Sequence, residues 1–229
     1  MAARGQRAHP PGLVAAGGPF VECRFASRSG REASASMIPF SRTAIADVLV
    51  FEPVRHGDRR GFFSEVFRQD AFEAAGIDAA FVQDNHSLSG PAGVLRGLHF
   101  QTGASAQGKL VRAARGAVLD VAVDIRHGSP TFGRHVAVEL SAENWRQLWV
   151  PAGMAHGFVT LVPETEVIYK VTSYYDPAAD KGLAFDDPDL GIDWRFPASD
   201  LVLSDKDRRH PRLSDLPRYF DVAEPAACA

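Results

Sequence analysis

Residues 93–101, GVLRGLHFQ, place Arg96 and His99 three positions apart in an otherwise apolar stretch. The stretch shows no helical period and predicts a strand. A histidine has a pKa suited to removing a proton from carbon beside a carbonyl group. For His99 alone, the alternative is a core histidine that hydrogen-bonds the backbone.

Two more side chains could complete such a reaction in the same pocket. Lys109 begins the next predicted strand, Tyr169 lies on a later one, and strand alternation places each on an apolar face. An ammonium group stabilises the enolate oxygen that proton removal creates, and a phenol can return a proton from the opposite side. These residues predict inversion of a stereocentre beside a carbonyl. The alternative for Lys109 is a solvated, outward-facing residue.

Other charged residues could orient the base or bind an anion. A histidine base usually needs a carboxylate partner, and the segment LSDKD, residues 203–207, could supply one. Arg60, in DRRGFFSE, and Arg96 carry guanidinium groups that suit phosphate oxygens. For Arg60 the alternative is an exposed loop arginine. His156 begins a further strand and could reach the same interior.

The elements that must position these residues are mostly strands. Asp70 could cap one helix at 68–76, and Gly76 could end it. We predict a hairpin that turns at Arg115-Gly116, and irregular structure with a short helix in the last forty residues. Many short strands between turn signals are typical of a sandwich or barrel. The predicted strands include 46–53, 62–67, 109–114, 117–125, 134–140, 146–151, 156–162 and 165–175.

The segment PAGMAHGF, residues 151–158, resembles the second motif of the cupin, or jelly-roll, superfamily. Cupins that bind metal usually also carry a His-x-His pair on an earlier strand. The corresponding place reads His99-Phe100-Gln101, so the second imidazole is missing. We therefore expect a jelly-roll barrel without a metal ion.

The composition of the whole chain narrows the class of protein. Its 229 residues suffice for one large β domain, and 45% of them are apolar, as is ordinary for a globular protein. A net charge of −3 argues against nucleic-acid or membrane partners, and no stretch approaches the ~20 apolar residues of a membrane span. The two cysteines, Cys23 and Cys228, lack the spacing of metal ligands. We therefore expect free thiols, a reducing compartment and a cytoplasmic location.

The ends of the chain differ from its middle. Residues 1–36 are rich in Arg, Ala, Gly, Pro and Ser, and the ordered pattern begins at Met37. We expect 1–36 to be a disordered extension rather than a targeting signal. Residues 37–220 should form the domain, and 221–229 a C-terminal tail.

Seven segments occur in a recognisable order: DRRGFFSEVF (58–67), FVQDNHS (81–87), GVLRGLHFQ (93–101), QGKLVRAARGAVLDVAVDIR (107–126), WVPAGMAHGF (149–158), YKVTSYYDP (169–177) and LSDKD (203–207). Together they resemble the dTDP-4-dehydrorhamnose 3,5-epimerase family over about residues 38–217. The resemblance implies an all-β jelly-roll (cupin-like) barrel with short peripheral helices. It also implies a homodimer that needs no cofactor and inverts C3 and C5 of a dTDP-4-keto-6-deoxyhexose, giving dTDP-4-dehydro-L-rhamnose.

Matching positions imply a role for each site residue. His99 resembles the general base, Asp207 its carboxylate partner, Lys109 the group that polarises the C4 carbonyl, and Tyr169 the general acid. Gly97 would have to bend its strand so that Arg96 and His99 both meet the substrate. The positions that match substrate contacts are Arg60, Glu65, Gln83, Asn85, Arg96, His156, Tyr175 (stacked on thymine), Asp180 and Lys206.

Three alternatives to the double epimerase remain. A related enzyme could invert only C3 or only C5 of a natural-product sugar, although Tyr169 favours the double reaction. A cupin could bind the nucleotide sugar without catalysis, although the four matched catalytic residues argue against this. A metal-dependent cupin oxygenase is disfavoured by the missing His-x-His pair.

Overall fold

The structure of the chain, a computed structural model, describes residues 38–222. The expected extension at 1–36 and most of the expected tail at 221–229 lie outside these residues. The division into extension, domain and tail therefore stays a prediction. None of the helices within 38–222 is long and apolar enough to cross a membrane.

Short strands dominate the described residues. Within 38–222, one α-helix, α1 (Gln69–Ala74), and four 3-10 helices (Gly103–Ser105, Ala198–Asp200, Asp207–Arg209 and Leu213–Asp215) accompany fifteen strands. The strands are β1 (Phe40–Arg42), β2 (Leu49–Phe51), β3 (His56–Asp58), β4 (Gly61–Phe63), β5 (Gln83–Ser89), β6 (Leu95–Gln101), β7 (Lys109–Arg115), β8 (Ala117–Asp124), β9 (Arg126–His127), β10 (His135–Ser141), β11 (Gln147–Val150), β12 (Met154–Thr160), β13 (Thr165–Val171), β14 (Asp180–Gly182) and β15 (Phe220–Asp221).

Most of the strands belong to two sheets that face each other. Among the described residues, the large sheet has the order β1-β2-β11-β7-β13-β5, and the small sheet has the order β10-β8-β12-β6-β14. Neighbouring strands in both sheets run antiparallel. The hairpin β3–β4 and the parallel pair β9–β15 lie outside them. The predicted all-β jelly-roll barrel with short peripheral helices is confirmed.

Apolar side chains fill much of the space between the two sheets, which we call the lumen. Val111 of the large sheet packs there with Val118 and Phe158 of the small sheet. The C-terminal segment, including Trp194, covers the outer face of the small sheet, and α1 covers the outer face of the large sheet with Phe72. Because the lumen is otherwise apolar, each polar side chain that points into it needs a partner or a ligand.

The predicted hairpin at Arg115-Gly116 is wrong, because the two strands that meet there enter different sheets. Strand β7 pairs with β11 and β13, whereas β8 pairs with β10 and β12. Gly116 turns the corner with φ +71°, and a Cβ atom there would lie 2.3 Å from Thr165 Oγ1. Alternation shows which residues share a face, but it does not show which strand is the neighbour.

The predicted helix at 68–76 exists, but it is shorter and is capped differently. It spans Gln69–Ala74, and Arg68, at the N-cap position, makes no side-chain capping bond. Asp70 lies in the first turn, accepts the Ala71 N–H at 2.9 Å and pairs with Arg68. Gly76 follows the end of the helix with φ +86°, as predicted.

A bulge at Gly97 places Arg96 and His99 on one face of β6. Arg96 lies opposite Phe158 and His99 opposite His156, so four residues of β6 span three of β12. Partners across neighbouring strands point to the same side, and Phe158 points into the lumen. Arg96 and His99 therefore both face the lumen, and the predicted bend at Gly97 is confirmed.

Gly97→Ala is expected to lower the free energy of unfolding by about 3 kcal/mol or more. Gly97 has φ +142°, and an added Cβ would lie 2.5 Å from the Cα of Gly157. Urea unfolding measures the loss. The control is Gly103→Ala, at φ +59° with nothing within 4 Å of the added Cβ, where only the backbone cost of about 1 kcal/mol applies. Equal losses in the two variants would contradict the steric explanation.

Candidate active site

The large sheet presents four of the predicted site residues to the lumen. On β5, Gln83 and Asn85 alternate with exposed neighbours. Asn85 faces Tyr169 of β13, and Gln83 faces Val171, which in turn faces Lys109 of β7. Tyr169 packs against the lumen core, so all four side chains share the inner face. The large sheet thus brings together residues of three strands, β5, β7 and β13, that are far apart in the sequence.

The small sheet presents four more of the predicted site residues across the lumen. Arg96 and His99 of β6 share their face with His156 of β12. Asp180 of β14 lies opposite Gln101, two residues beyond His99 on the same strand, and so shares this face as well. The two inner faces therefore place His99 and Tyr169 on opposite walls of one lumen.

His99 forms a tight pair with Asp207. Its Nε2 lies 2.6 Å from Asp207 Oδ1, and the Asp207 side chain is only 5% exposed. Burial acts to raise the pKa of Asp207, but the adjacent imidazoles of His210 and His99 outweigh it and hold that pKa well below its usual range. Asp207 is therefore an anion at neutral pH, which accepts the Nε2–H of His99 and leaves Nδ1 as the basic nitrogen.

Lys109 is a buried cation next to this pair. Its Nζ donates to the backbone oxygen of His99 at 3.3 Å. Burial lowers the pKa of Lys109 to about 8, although the negative charges of Asp120 and Asp180 act to raise it. The ammonium form therefore prevails at neutral pH, and its low hydration makes it an effective partner for a developing negative charge.

A second histidine–aspartate pair lies deeper in the lumen and includes a residue that the sequence analysis missed. His156 Nε2 lies 2.8 Å from Oδ1 of Asp120, which is fully buried on β8. Burial lowers the pKa of His156, against the opposing charge of Asp120. The available signal was a carboxylate at an inward position of an apolar strand, between Val118 and Ala122.

Tyr169 is partly buried, and burial raises its pKa while the charge of Arg96 acts to lower it. The phenol is therefore protonated at neutral pH and can donate its proton to a carbon atom of a ligand in the lumen. Within residues 38–222, the Arg96 guanidinium makes only long contacts, at 3.4 Å, with Ser89 Oγ and Leu88 O. It therefore retains donors for an anionic ligand.

Tyr175, Asp180 and Lys206 form a polar rim beside the pair. The Tyr175 hydroxyl donates to Asp180 Oδ2 at 3.2 Å, and the Lys206 ammonium pairs with the same oxygen. The Tyr175 N–H donates to Gln83 Oε1 at 3.1 Å, which ties the rim to the large sheet. The Tyr175 ring is 57% exposed. It is therefore open to a planar ligand.

Arg60 and Glu65 are the two predicted contacts that the chain does not bring to the lumen. Arg60 lies in the β3–β4 turn and pairs with Asp58, while Glu65 lies 3.7 Å from Arg68. Among residues 38–222, neither forms a hydrogen bond or ion pair with a lumen side chain. Their role as substrate contacts stays a prediction.

His210 is a second residue that the sequence analysis missed. Its Nε2 lies 3.5 Å from the same Asp207 oxygen that His99 contacts, and the two imidazole rings meet edge to face at 5.5 Å. His99, Asp207 and His210 form a set of potential metal ligands in the described part of the chain. Nothing in the irregular segment around His210 marks it as part of the site.

Fold and site together define a class of protein. It is a jelly-roll barrel whose lumen contains a histidine–aspartate pair, a buried lysine and a tyrosine, and these groups can transfer protons to and from a ligand. The sequence model of the dTDP-4-dehydrorhamnose 3,5-epimerase family matches residues 42–215. The dTDP-4-dehydrorhamnose 3,5-epimerase of Sinorhizobium fredii is 53% identical over 185 residues, which cover 81% of this chain and 94% of that protein. The chain belongs to this family, and the predictions of an epimerase and isomerase are confirmed.

Solved structures resemble the chain as well. The crystal structure of the Legionella pneumophila dTDP-6-deoxy-D-glucose-3,5-epimerase, in complex with dTDP-4-keto-L-rhamnose, is 44% identical with a TM-score of 0.78. The match covers 82% of this chain and all of that one. A 3'-monoepimerase from Streptomyces bikiniensis, in complex with dTDP-quinovose, is 38% identical with a TM-score of 0.70, over 76% of this chain and 87% of that one.

Proposed function

We propose that the chain inverts C3 and C5 of dTDP-4-dehydro-6-deoxy-D-glucose to give dTDP-4-dehydro-L-rhamnose. The observation that carries the proposal is the His99–Asp207 pair, which faces Tyr169 across a lumen that also contains Lys109. Removal of a proton on one side of a carbon and its return on the other inverts that carbon. Side chains supply every proton donor and acceptor that this route needs.

Proton removal begins at His99. Asp207 accepts the Nε2–H, so the Nδ1 lone pair takes the proton from C3 or C5, and the carboxylate stabilises the imidazolium that forms. The electron pair of the broken C–H bond moves into an enolate at C4. Its oxygen gains negative charge, which the buried ammonium of Lys109 stabilises.

Proton return comes from the other wall. Tyr169 is protonated at neutral pH and lies on the large sheet, opposite the base. It donates to the enolate carbon, and the C4 carbonyl is restored. The Arg96 guanidinium and the Lys206 ammonium would bind the diphosphate, while the exposed Tyr175 ring would stack on thymine. Gln83, Asn85, His156 and Asp180 line the same surface and would orient the sugar.

Tyr169→Phe is expected to retain deuterium exchange but to lower inversion at one or both carbons by about 10²-fold or more. The base and the ammonium stay in place, so the enolate still forms, but the opposite face lacks its proton donor. NMR of the sugar protons in heavy water separates exchange from inversion. Tyr174→Phe is the control, because Tyr174 is 70% exposed and no lumen contact involves its hydroxyl among the described residues. Normal inversion in Tyr169→Phe would remove Tyr169 from the mechanism.

The test of the whole proposal is the same NMR experiment on the unaltered protein with dTDP-4-keto-6-deoxyglucose. We expect exchange at both C3 and C5 and, after reduction, an L-configured sugar. Exchange at one carbon only would identify a single-site epimerase, which the 38% identity to a 3'-monoepimerase keeps as the second candidate. Binding without exchange would leave a nucleotide-sugar-binding protein and would overturn the proposal.

The proposal includes a homodimer in the cytoplasm. Support for the dimer comes from the β3–β4 hairpin, where Phe62 and Phe63 are 54% and 67% exposed and would be covered by a second copy. The location rests on cysteine usage typical of reducing compartments. Light scattering during size-exclusion chromatography tests the dimer, and Phe63→Ser should shift the mass toward that of a monomer.

A further inference from the structure

Three potential metal ligands converge where His210 meets the catalytic pair. The ligand atoms of His99, Asp207 and His210 all lie within 4.8 Å of one another. Asp207 Oδ1 lies 2.6 Å from Nε2 of His99 and 3.5 Å from Nε2 of His210. The hydrogen bond to His99 explains one imidazole, but the proposed reaction does not use the second.

His210 is buried without a hydrogen-bond partner for its inner nitrogen. The side chain is 9% exposed, and its Nε2 makes no well-formed hydrogen bond among the described residues, since Asp207 Oδ1 lies 3.5 Å away. A buried ring nitrogen without a hydrogen bond is uncommon and needs an explanation. Since Nε2 points toward an anionic carboxylate and a second imidazole, a cation that all three groups can bind would supply the missing partner.

The backbone is shaped to hold the His210 ring in this place. Gly182 of β14 lies directly opposite His99, and a Cβ atom at Gly182 would come within 2.3 Å of three ring atoms of His210. Gly182 has no positive φ that would demand glycine. Glycine at position 182 therefore leaves room for the His210 ring next to the catalytic pair, and any larger residue there would fill that room.

We propose that His99, Asp207 and His210 form an inhibitory binding site for a divalent zinc ion. Two imidazoles and one carboxylate are a common ligand set for zinc, with the fourth position left to water. Ligand atoms around tetrahedral zinc lie roughly 3.3 Å apart. The His99–Asp207 distance would have to open by roughly 0.7 Å and the His210–Asp207 distance would close by roughly 0.2 Å.

The surroundings permit a cation. Lys109 and Lys206 bring positive charge near the site, but Asp120 and Asp180 lie close to Lys109, and Asp180 also pairs with Lys206. Access exists from two sides. His99 is 32% exposed on the lumen side, and a cleft of about 310 Å³ reaches His210 past Lys206. An ion can therefore enter without unfolding of the segment that carries Asp207.

Zinc at this site would compete with the proposed reaction. Binding of zinc to His99 Nε2 moves the proton of that nitrogen to Nδ1, so Nδ1 no longer has the free lone pair of the proposed base. This consequence rests on the proposed role of His99, whereas the binding site itself rests only on the geometry of the three ligands.

Cobalt(II) is the probe, because tetrahedral Co²⁺ absorbs visible light and takes the place of zinc. Titration of the metal-free, full-length protein without substrate should produce the intense visible bands of a four-coordinate ion, and added Zn²⁺ should abolish them. His210→Ala and His210→Asn should both weaken binding roughly tenfold or more. Two variants are needed because the loss of a buried ring can disturb folding by itself.

Two further variants test whether residue 210 is a ligand and whether Gly182 holds the His210 ring in position. His210→Cys should keep the metal and add sulfur-to-cobalt charge-transfer absorption in the near ultraviolet. Gly182→Ala should weaken binding although it changes no ligand, because the new Cβ displaces the His210 ring. His86→Ala is the matched control: His86 pairs with Glu166 at 2.9 Å on the exposed face of the large sheet and should leave the spectrum unchanged.

The outcomes separate this proposal from the proposed function. Absence of the visible bands, or equal bands in His210→Ala and His86→Ala, would overturn the zinc site even if deuterium exchange is normal. Bands that depend on His210, in a protein that exchanges no sugar proton in the presence of chelator, would keep the site and refute the epimerase. If both hold, micromolar Zn²⁺ should inhibit exchange, chelator should restore it, and His210→Ala should resist inhibition relative to its own metal-free rate.

Discussion

Replacement of His99 by alanine is expected to abolish deuterium exchange at both C3 and C5 and to lower kcat/KM by about 10³-fold or more. His99 is the proposed base for both carbons, and the residue that it pairs with, Asp207, is anionic but has a pKa too low to hold a proton at neutral pH. Among the described residues, the other lumen histidine, His156, pairs with Asp120 in the same way, but it is buried and burial lowers its pKa, so it is the weaker base. Exchange is followed by NMR in heavy water.

The control for this variant must separate lost chemistry from lost structure. His99→Ala leaves the buried Asp207 with one partner fewer, so His99→Asn, which can still donate a hydrogen bond, should be measured beside it. Binding of dTDP should persist in both variants, since the diphosphate and thymine contacts lie elsewhere. His86→Ala removes the histidine of an exposed histidine–carboxylate pair, and this variant should show normal deuterium exchange. Ordinary turnover in His99→Ala would show that the base is another residue.

Lys109→Met is expected to lower kcat/KM by about 10² to 10³-fold, which is the typical effect of removing one hydrogen-bond donor that stabilises an oxyanion. Methionine keeps the length of the side chain but cannot stabilise the enolate oxygen. Because Lys109 is a buried cation, its removal should not lower the melting temperature, which separates a catalytic from a structural role. Lys170→Met, which replaces a partly exposed lysine paired with Asp84, should leave both quantities unchanged.

The pH profile gives a second signature of Lys109. Burial lowers its pKa to about 8, so the ammonium is present below that pH and is lost above it. The kcat/KM of the unaltered protein should therefore fall as the pH rises through about 8. Lys109→Met should lack this fall, since it has no proton to lose. A basic limb that is identical in both proteins would mean that another group titrates there.

Strand alternation correctly predicted which residues face the lumen but not which strands are neighbours. The inward positions of Lys109 and Tyr169 followed from the apolar residues two positions away on each strand. The hairpin predicted at Arg115-Gly116 was wrong, because a short turn with glycine serves equally well as a corner between two sheets. The choice depends on packing against Thr165, which is far away in sequence.

The amino-acid sequence by itself determined the all-β class, the inward residues of each strand, and, through the resemblance of seven ordered segments, the family. These features are local or are matched position by position, so they need no knowledge of distant contacts. It also pointed to Gly97 as the residue that turns Arg96 and His99 to one face, since only one extra residue in the strand can do so.

The tertiary structure alone decided several pairings of the polar groups. The resemblance had already matched Asp207 to His99, 108 residues away, but nothing in the sequence paired Asp120 with His156, 36 residues away. His210 reaches the pair only because the irregular C-terminal segment passes over Gly182, and Arg60 and Glu65 remain on a separate hairpin. Side chains on irregular segments follow no period, and contacts between distant segments depend on how the whole chain packs, so no local pattern could have shown them.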